Sequence, residues 1–354
     1  MNILFRVDSS NIIGTGHLYR CLNLASIYKS HNIIFISKKH SFNLNYKIRE
    51  KYTCYEINFN FPDNVKLNVD TWLGESQEDD ALKTIKIIKL NNLKIDWLVI
   101  DHYAINEKWE SILKKHVKKI CVIDDFINRK HNCNIYINQQ VKDISIIKNK
   151  KILNEDCIIY VGNNYLFFHE NYYNLKINKK INYLKRINIF MGGADLYNIT
   201  SNIIDICNEF NKKYDNKLRF DVIIGKSNKN HNIIKQKINK LKNFYFYYDL
   251  NFIGELLALA DLAIGAPGTT SYERCLTQTP SIMICLADNQ KSVIKKFLDS
   301  KTSFYIGDIN SNYEKQLIYY LEYFNNYPNL LTIMSNHCKD FINLNNNLSN
   351  KLLT

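Results

Sequence analysis

Three clusters of glycine, each placed after a short apolar run, constrain the fold of this chain more than any other feature. The sequence holds eleven glycines in 354 residues, about 3% against roughly 7% in an average protein. Six of the eleven form the pairs Gly14/Gly16, Gly192/Gly193 and Gly265/Gly268. An apolar run, a glycine turn and then an amphipathic stretch is the order of a strand–loop–helix unit. The chain therefore predicts an α/β protein.

Apolar runs continue this alternation along the chain. Predicted strands cover 3–7, 33–36, 97–100, 119–123, 187–190, 220–224, 262–264 and 281–286, and predicted helices cover 17–29, 107–116, 200–214, 256–260 and 271–277. Such alternation indicates parallel sheets built from βαβ units. Because the pattern starts again after a polar segment near 174–185, we expect two Rossmann-like domains, 1–175 and 185–354, facing a central cleft. The asparagine-rich last residues are expected to fray or to pack back on the first domain.

Charge and composition exclude several classes of protein. The formal net charge of +13 suits an acidic small ligand, but the lysines are scattered and not interleaved with aromatic residues, so no nucleic-acid partner is expected. No apolar segment of signal-peptide length precedes Arg6, and no run reaches the roughly 18 apolar residues of a membrane span, so we expect a cytoplasmic protein. We also expect a monomer. The nine cysteines form no CxxC pair and the histidines have no ligand spacing. Reduced thiols, no metal and no cofactor are therefore expected.

Two of the glycine loops precede a predicted helix start, where free N–H groups and the positive end of the dipole bind anions. These loops are Gly14-Thr15-Gly16 and Gly268-Thr269-Thr270-Ser271. Neither has the G-x-G-x-x-G spacing or a following Walker lysine, which argues against nicotinamide binding and P-loop chemistry. A bare glycine turn remains the alternative for each loop.

His17 is the candidate general base. It stands between the first glycine loop and the first helical turn, where the positive end of the dipole favours a neutral imidazole near pH 7. A neutral imidazole beside an anion-binding loop is suited to accept a proton from water. The alternative is an ordinary surface histidine in a first helical turn.

Acidic residues at strand ends are further candidates. Asp101-His102 and Asp124-Asp125 follow predicted strands, at the edge where open α/β sheets build their sites. Either pair orients a ligand or caps the segment that follows. Glu273, three residues after Thr270, fits a capping box as well as an acceptor for sugar hydroxyls.

The motifs, taken in order, resemble those of the PseG family of UDP-sugar hydrolases in pseudaminic acid (nonulosonic acid) biosynthesis. The motifs that carry the resemblance are Arg6-Val-Asp-Ser9, Gly14-Thr-Gly-His17, Arg20-Cys-Leu22, Thr71-Trp-Leu-Gly74, Asp96-Trp-Leu-Val-Ile-Asp-His-Tyr103, Val122-Ile-Asp-Asp-Phe126, Met191-Gly-Gly-Ala-Asp195, Gly265-Ala-Pro-Gly-Thr-Thr-Ser-Tyr-Glu-Arg-Cys275 and Leu286-Ala-Asp-Asn-Gln290. They follow one another in order from the N-terminus to Gln290. The resemblance implies a MurG-like GT-B fold, with two Rossmann-like domains.

The same resemblance implies an activity and a set of site residues. The activity is hydrolysis of UDP-2,4-diacetamido-2,4,6-trideoxy-β-L-altropyranose to UDP and 2,4-diacetamido-2,4,6-trideoxy-L-altropyranose, upstream of flagellin glycosylation. His17 corresponds to the residue that activates water for attack on the anomeric carbon with inversion. Glu273 and Asn289 correspond to nucleotide-sugar-binding positions. The other substrate-binding residues expected in these motifs are Gly14, Thr15, Gly16, Asp101, His102, Tyr103, Gly192, Gly193, Gly268, Thr269, Thr270, Ser271 and Gln290.

Two other functions remain open at this stage. A GT-B glycosyltransferase would share the nucleotide loops and a histidine base but pass the sugar to an acceptor. MurG-like enzymes usually carry an apolar, basic membrane-docking patch, and no concentrated patch of that kind occurs in this sequence, which favours the hydrolase. A non-catalytic nucleotide-sugar-binding protein would have no reason to keep His17 between a glycine loop and a helix start.

Overall fold

The computed structural model describes residues 1–10, 12–58, 69–141, 143–148, 152–215, 217–286, 290–342 and 352–353. The chain divides into two compact units: the first contains residues 1–170 and the last residues of the chain, which include Leu353, and the second begins at Asn171. The sequence placed this division at 175–185, whereas Tyr172 already packs inside the second unit, edge-on against Phe252. Near the C-terminus, the N–H of Leu353 donates to the Tyr28 hydroxyl of the first unit at 2.9 Å.

The first unit is a seven-stranded parallel sheet with helices. Its strands are β1 (Asn2–Val7), β2 (Asn32–Lys39), β3 (Thr53–Asn58), β4 (Ile95–Asp101), β5 (Val117–Ile123), β6 (Ile135–Asn138) and β7 (Ile158–Val161). Its helices are α1 (Gly16–Ile27), α2 (Asn45–Arg49), α3 (Gln77–Leu90), α4 (Glu107–Leu113) and α5 (Ser145–Lys148), with short 3₁₀ helices at Val69–Thr71 and Asn163–Tyr165. The strand order is β3-β2-β1-β4-β5-β6-β7.

The apolar run of β1 is buried on both faces of this sheet. Ile3, Phe5 and Val7 enter one core cluster, which also takes the apolar face of α1. Leu4 enters a second cluster on the opposite face. In register, Phe5 lies beside Phe35 of β2 and Val99 of β4. A strand covered on both faces reads as a continuous apolar run, which is why the sequence predicted it directly.

The second unit repeats this architecture with six parallel strands. Its strands are β8 (Arg186–Phe190), β9 (Arg219–Ile224), β10 (Phe244–Tyr248), β11 (Leu262–Gly265), β12 (Ser281–Cys285) and β13 (Ser303–Asp308). Its helices are α6 (Ile199–Lys213), α7 (His231–Ile238), α8 (Gly254–Leu259), α9 (Thr269–Leu276), α10 (Lys291–Asp299), α11 (Tyr313–Asn326) and α12 (Asn329–Phe341). A 3₁₀ helix at Glu170–Asn174 spans the division between the units. The strand order is β10-β9-β8-β11-β12-β13.

Both sheets reverse their strand order beside their first strand. The reversal lies between β1 and β4 in the first unit and between β8 and β11 in the second. Open α/β sheets bind ligands at the carboxyl ends of the strands beside such a switch point. The three predicted strand–glycine loop–helix units are confirmed as β1–α1, β8–α6 and β11–α9, and all three glycine loops begin at a switch point. Among the described residues no helix is long and apolar enough to cross a bilayer.

A buried histidine ties α4 to the turn after β5. His131 Nδ1 lies 2.7 Å from Oε1 of Glu110, and its Nε2 lies 3.0 Å from Oδ2 of Asp124. Burial alone would lower the pKa of His131, but its hydrogen bonds to Asp124 and Glu110 and their negative charges raise it to about 9. The imidazolium therefore fixes the position of the segment that begins with Asp124.

His131→Gln should remove a pH-dependent part of the folding stability. The pKa of His131 in the folded state, about 9, lies above the unfolded value of about 6.5. Its contribution is therefore complete below about pH 6.5 and lost as the pH rises through 9. We expect the free energy of unfolding of the wild type to fall by about 3 kcal/mol more than that of the variant between about pH 6 and pH 10.

Urea unfolding of both proteins at the two pH values measures this difference. Other groups that titrate in this range, such as Lys179, whose pKa burial lowers to about 8, are present in both proteins and cancel. Equal pH dependence of the two proteins would contradict the role assigned to His131.

Candidate active site

The first glycine loop is fixed by its own backbone. Gly14 has φ +83°, a conformation that favours glycine. Its N–H donates to the carbonyl of Ser10 at 2.8 Å, and the N–H of Ser10 donates back to the Gly14 carbonyl at 3.3 Å. Thr15 is the N-cap of α1, and its side chain does not cap the helix. The loop thus leaves the N–H groups at the start of α1 without a side-chain cap and places His17 in the first turn.

A buried carboxylate at the end of β4 holds His17. The ring Nδ1 lies 2.6 Å from Oδ1 of Asp101, and Asp101 has no exposed surface. Arg20, one turn after His17 on α1, donates from Nε and Nη2 to the two oxygens of the same carboxylate, each at 2.7 Å. Burial alone would raise the pKa of Asp101, but the charge of Arg20, together with His17, holds it well below its usual range.

The charge of Asp101 fixes the tautomer of His17. An ionised carboxylate has only acceptors, so the Nδ1 of His17 carries the proton in this hydrogen bond. In the neutral ring the lone pair is then on Nε2, which can accept a proton from a ligand or from water. The orientation expected for a general base is therefore present.

Arg20 also joins this pair to the turn after β5. Its Nη1 donates to Oδ2 of Asp125 at 2.5 Å and to Oε1 of Gln139 at 3.1 Å. The hydroxyl of Tyr103 donates to the same Asp125 oxygen at 2.7 Å. Burial and the nearby charge of Asp125 raise the pKa of Tyr103 well above its ordinary value, so this side chain is a neutral hydrogen-bond donor.

Aromatic rings surround the imidazole of His17. The ring of Tyr103 meets it edge-on, with 4.3 Å between centroids, and the ring of Trp72 lies 6.0 Å away. Trp72 and Tyr103 are stacked on one another at 6.0 Å. Only 8% of His17 is exposed. The base is therefore buried, and electrostatic interactions in such a place are stronger than in water.

His102, the neighbour of Tyr103, is turned toward β1. Its Nδ1 accepts the N–H of Ala104 at 3.2 Å, and its Nε2 lies 3.2 Å from Oδ2 of Asp8. Burial lowers the pKa of His102, so the ring is neutral at pH 7 and its Nε2 faces the Asp8 carboxylate. Arg6 donates to the other oxygen of Asp8 at 2.5 Å. His102 thus packs between the ends of β1 and β4 inside the first unit.

The second unit carries the other two glycine loops. Gly192, two residues after the end of β8, has φ +89°. Its neighbour Gly193 packs closely against Gly225, because a Cβ added at Gly225 would lie 2.5 Å from the Cα of Gly193. The N–H of Gly268, the N-cap of α9, donates to Oγ of Ser271 at 3.2 Å. A Cβ added at Gly268 would meet no atom within 4 Å. The start of α9, with Thr269 and Thr270, is therefore open to a ligand.

Glu273 is not the cap of α9. The capping alternative for this residue was wrong because the N-cap of the helix is Gly268, two residues before the Thr270 that the alternative required, and Ser271 is the capping side chain. Instead, the carboxyl of Glu273 is half-buried and faces the hydroxyl of Tyr172. Burial raises the pKa of Glu273 to about 7, against the opposing effects of Arg274 and Tyr172.

The remaining predicted residues lie after β12. Asn289 lies outside the described residues. Oε1 of Gln290 accepts the N–H of Leu286 at 2.9 Å. Within the part of the chain that the structure describes, no group of three His, Cys, Asp or Glu side chains is arranged to hold a metal ion.

Sequence reasoning named His17 and Asp101 but missed Arg20, Trp72 and Tyr172 as site residues. One signal was present: His17 and Arg20 are three residues apart, which places both on one helix face. No comparable signal existed for Trp72 or Tyr172, because their partners lie on separate elements that the local pattern does not connect.

The two parallel sheets with these loops are those of a GT-B protein, and the predicted fold class is confirmed. MurG of Acinetobacter baumannii matches the structure with a TM-score of 0.64, covering 100% of this chain and 98% of that chain. The identity is 9%, so this likeness concerns the fold alone.

The chain is also similar in sequence to a named hydrolase, which confirms the resemblance predicted from its motifs. It is 27% identical over 297 residues to the UDP-2,4-diacetamido-2,4,6-trideoxy-β-L-altropyranose hydrolase of Campylobacter jejuni, covering 82% of this chain and 94% of that protein. It is 26% identical over 330 residues to an uncharacterised protein of Methanocaldococcus jannaschii, covering 88% of this chain and 61% of that protein. The chain thus spans less than two thirds of the archaeal relative. No family model matches the chain.

Proposed function

We propose that this protein hydrolyses UDP-2,4-diacetamido-2,4,6-trideoxy-β-L-altropyranose to UDP and the free sugar in the cytoplasm, as a step of pseudaminic acid biosynthesis. The observation that carries the proposal is the imidazole of His17, whose Nδ1 is committed to the buried carboxylate of Asp101 at 2.6 Å. The similarity to the Campylobacter hydrolase, over 94% of its length, supports the choice of substrate.

In the proposed mechanism His17 is the general base. Its Nε2 takes a proton from water while the water oxygen bonds to the anomeric carbon, and the bond from that carbon to the UDP oxygen breaks on the opposite face. The sugar is released with inverted configuration. Asp101 stabilises the imidazolium that forms, and the two hydrogen bonds from Arg20 keep the proton on His17 rather than on Asp101.

The departing UDP needs its developing charge stabilised. We assign this role to the N–H groups at the open start of α9, from Gly268 to Ser271, aided by the positive end of that helix. Gly192 and Gly193 offer backbone groups at the neighbouring strand end. No metal ion takes part in the proposed reaction, and a monomer carries it out.

The proposed reaction is tested by incubating the purified protein with the UDP-sugar in EDTA and following UDP release by chromatography. We expect turnover in EDTA, and His17→Asn should lower kcat by about 10²–10⁴-fold, the usual loss when a general base is removed. Affinity for UDP should be retained in that variant.

His116→Asn is the matched control, because His116 lies in the turn after α4 and has no role in the proposal. Its kcat should equal that of the wild type. No UDP release by the wild type would refute the reaction. A His17→Asn variant with the kcat of the wild type would refute the assignment of His17 as general base. Turnover by the wild type only after addition of Mg²⁺ would require a metal-assisted mechanism.

We propose that Glu273 accepts hydrogen bonds from the ribose hydroxyls of UDP. A carboxylate is repelled by phosphate, whereas hydroxyls donate to it, and loss of such a bond costs about 10- to 150-fold in affinity. Wild type should therefore bind UDP more tightly than 2′,3′-dideoxy-UDP in calorimetric titrations, and Glu273→Ala should lose that preference.

Glu255→Ala, in the first turn of α8, removes an exposed carboxylate from the same unit and should keep the wild-type preference. A Glu273→Ala protein that still distinguishes the two nucleotides would assign the ribose contact to another residue.

A further inference from the structure

A buried arginine joins the two glycine loops of the second unit. Arg274, in the last turn of α9, is 1% exposed. Its Nη1 donates to the carbonyl of Ala266 at 3.3 Å, and its Nη2 donates to the carbonyl of Phe190 at 3.2 Å. Phe190 ends β8 and Ala266 directly follows β11. The guanidinium therefore lies at the switch point of this sheet, beneath the start of both loops.

Arg274 differs from the other buried arginines in having no carboxylate partner. Arg6 pairs with Asp8 and Asp80, and Arg20 pairs with Asp101 and Asp125. Among the residues that the structure describes, no ion pair with Arg274 occurs, and its buried Nε has no hydrogen-bond partner.

Burial without a counter-charge is unfavourable for a cation. It lowers the pKa of Arg274 to about 10, so the side chain is still a cation at neutral pH. The charge of the adjacent Glu273 opposes this shift only in part, and no described carboxylate forms an ion pair with the guanidinium.

The glycine at the end of β11 makes room for this guanidinium. A Cβ added at Gly265 would lie 2.0 Å from Nη2 of Arg274 and 2.3 Å from the Phe190 carbonyl oxygen. Any larger residue would thus displace the guanidinium from the strand end. Gly265 before the loop and Arg274 in the helix after it therefore depend on one another, because the missing side chain of Gly265 leaves the space that the guanidinium occupies.

We propose that Arg274 is a positioning and electrostatic determinant of diphosphate binding, whose unpaired charge is neutralised when a nucleoside diphosphate occupies the open start of α9. The inference rests on the proposed function and deepens it. Arg274 orders the two loops through the Phe190 and Ala266 carbonyls and adds a full positive charge to the partial charge of the helix start. A charge in a low-dielectric surround acts strongly on a nearby anion.

The experiment separates the diphosphate from the nucleoside. UDP is titrated by calorimetry, and uridine is titrated by ligand-observed NMR, into wild type, Arg274→Met and Arg274→Lys. We expect Arg274→Met to lose at least about tenfold in UDP affinity, with uridine affinity unchanged and with a weaker dependence of UDP binding on salt. Arg274→Lys keeps the charge and should retain most of the UDP affinity.

Arg219→Met is the matched control for net charge. Arg219 lies at the start of β9, pairs with Asp221 and packs over the ring of Tyr245, and its loss should leave UDP affinity unchanged. Arg274→Gln, which can still donate to one of the two carbonyls, serves as the neutral variant if Arg274→Met does not fold.

Three results would overturn the inference alone: unchanged UDP affinity in the neutral variant, an equal loss for UDP and uridine, or a loss in Arg274→Lys as large as in the neutral variant. Failure of the wild type to bind UDP at all would instead overturn the proposed function, and this inference with it.

Discussion

The buried ion pair between Asp101 and Arg20 is the interaction on which the chemistry of the first unit depends. Two hydrogen bonds of 2.7 Å keep the carboxylate charged without solvent, and that charge fixes the tautomer of His17. Arg20 reaches Asp125 as well, which in turn holds Tyr103 against the imidazole. The guanidinium of Arg20 thus fixes the position of Asp101 directly and the positions of His17 and Tyr103 through their carboxylate partners.

The two units share a topology but manage their buried charge differently. In the first unit, Arg6 and Arg20 each form ion pairs with two carboxylates. Such pairs hold side chains in one orientation. In the second, the hydrogen bonds that Arg274 makes within the described residues go to the carbonyls of Phe190 and Ala266. This contrast agrees with the division of labour that we propose, in which the first unit positions a base and the second binds an anion.

The fold could be predicted from the sequence because its signals are local. Gly14 and Gly192 take positive φ in the loops that follow apolar strands, and such loops are visible in a glycine-poor chain. The contacts of the site are not local: Arg20 meets Asp101 across 81 residues and Asp125 across 105. These contacts follow from the strand order β1-β4-β5, which the periodicity of apolar residues in the sequence does not specify. Likewise, the capping alternative for Glu273 was wrong because the start of α9 depends on Ser271.

The most direct test of the account is a single turnover of the UDP-sugar in water enriched in ¹⁸O, with the UDP product examined by mass spectrometry. When water activated by His17 attacks the anomeric carbon, the bond between that carbon and the oxygen of UDP breaks. The oxygen of the water enters the sugar, and UDP keeps the oxygen that it had in the substrate. We therefore expect the mass spectrum to show UDP without ¹⁸O. UDP that carries one ¹⁸O on its terminal phosphate would mean attack at phosphorus and would contradict the mechanism.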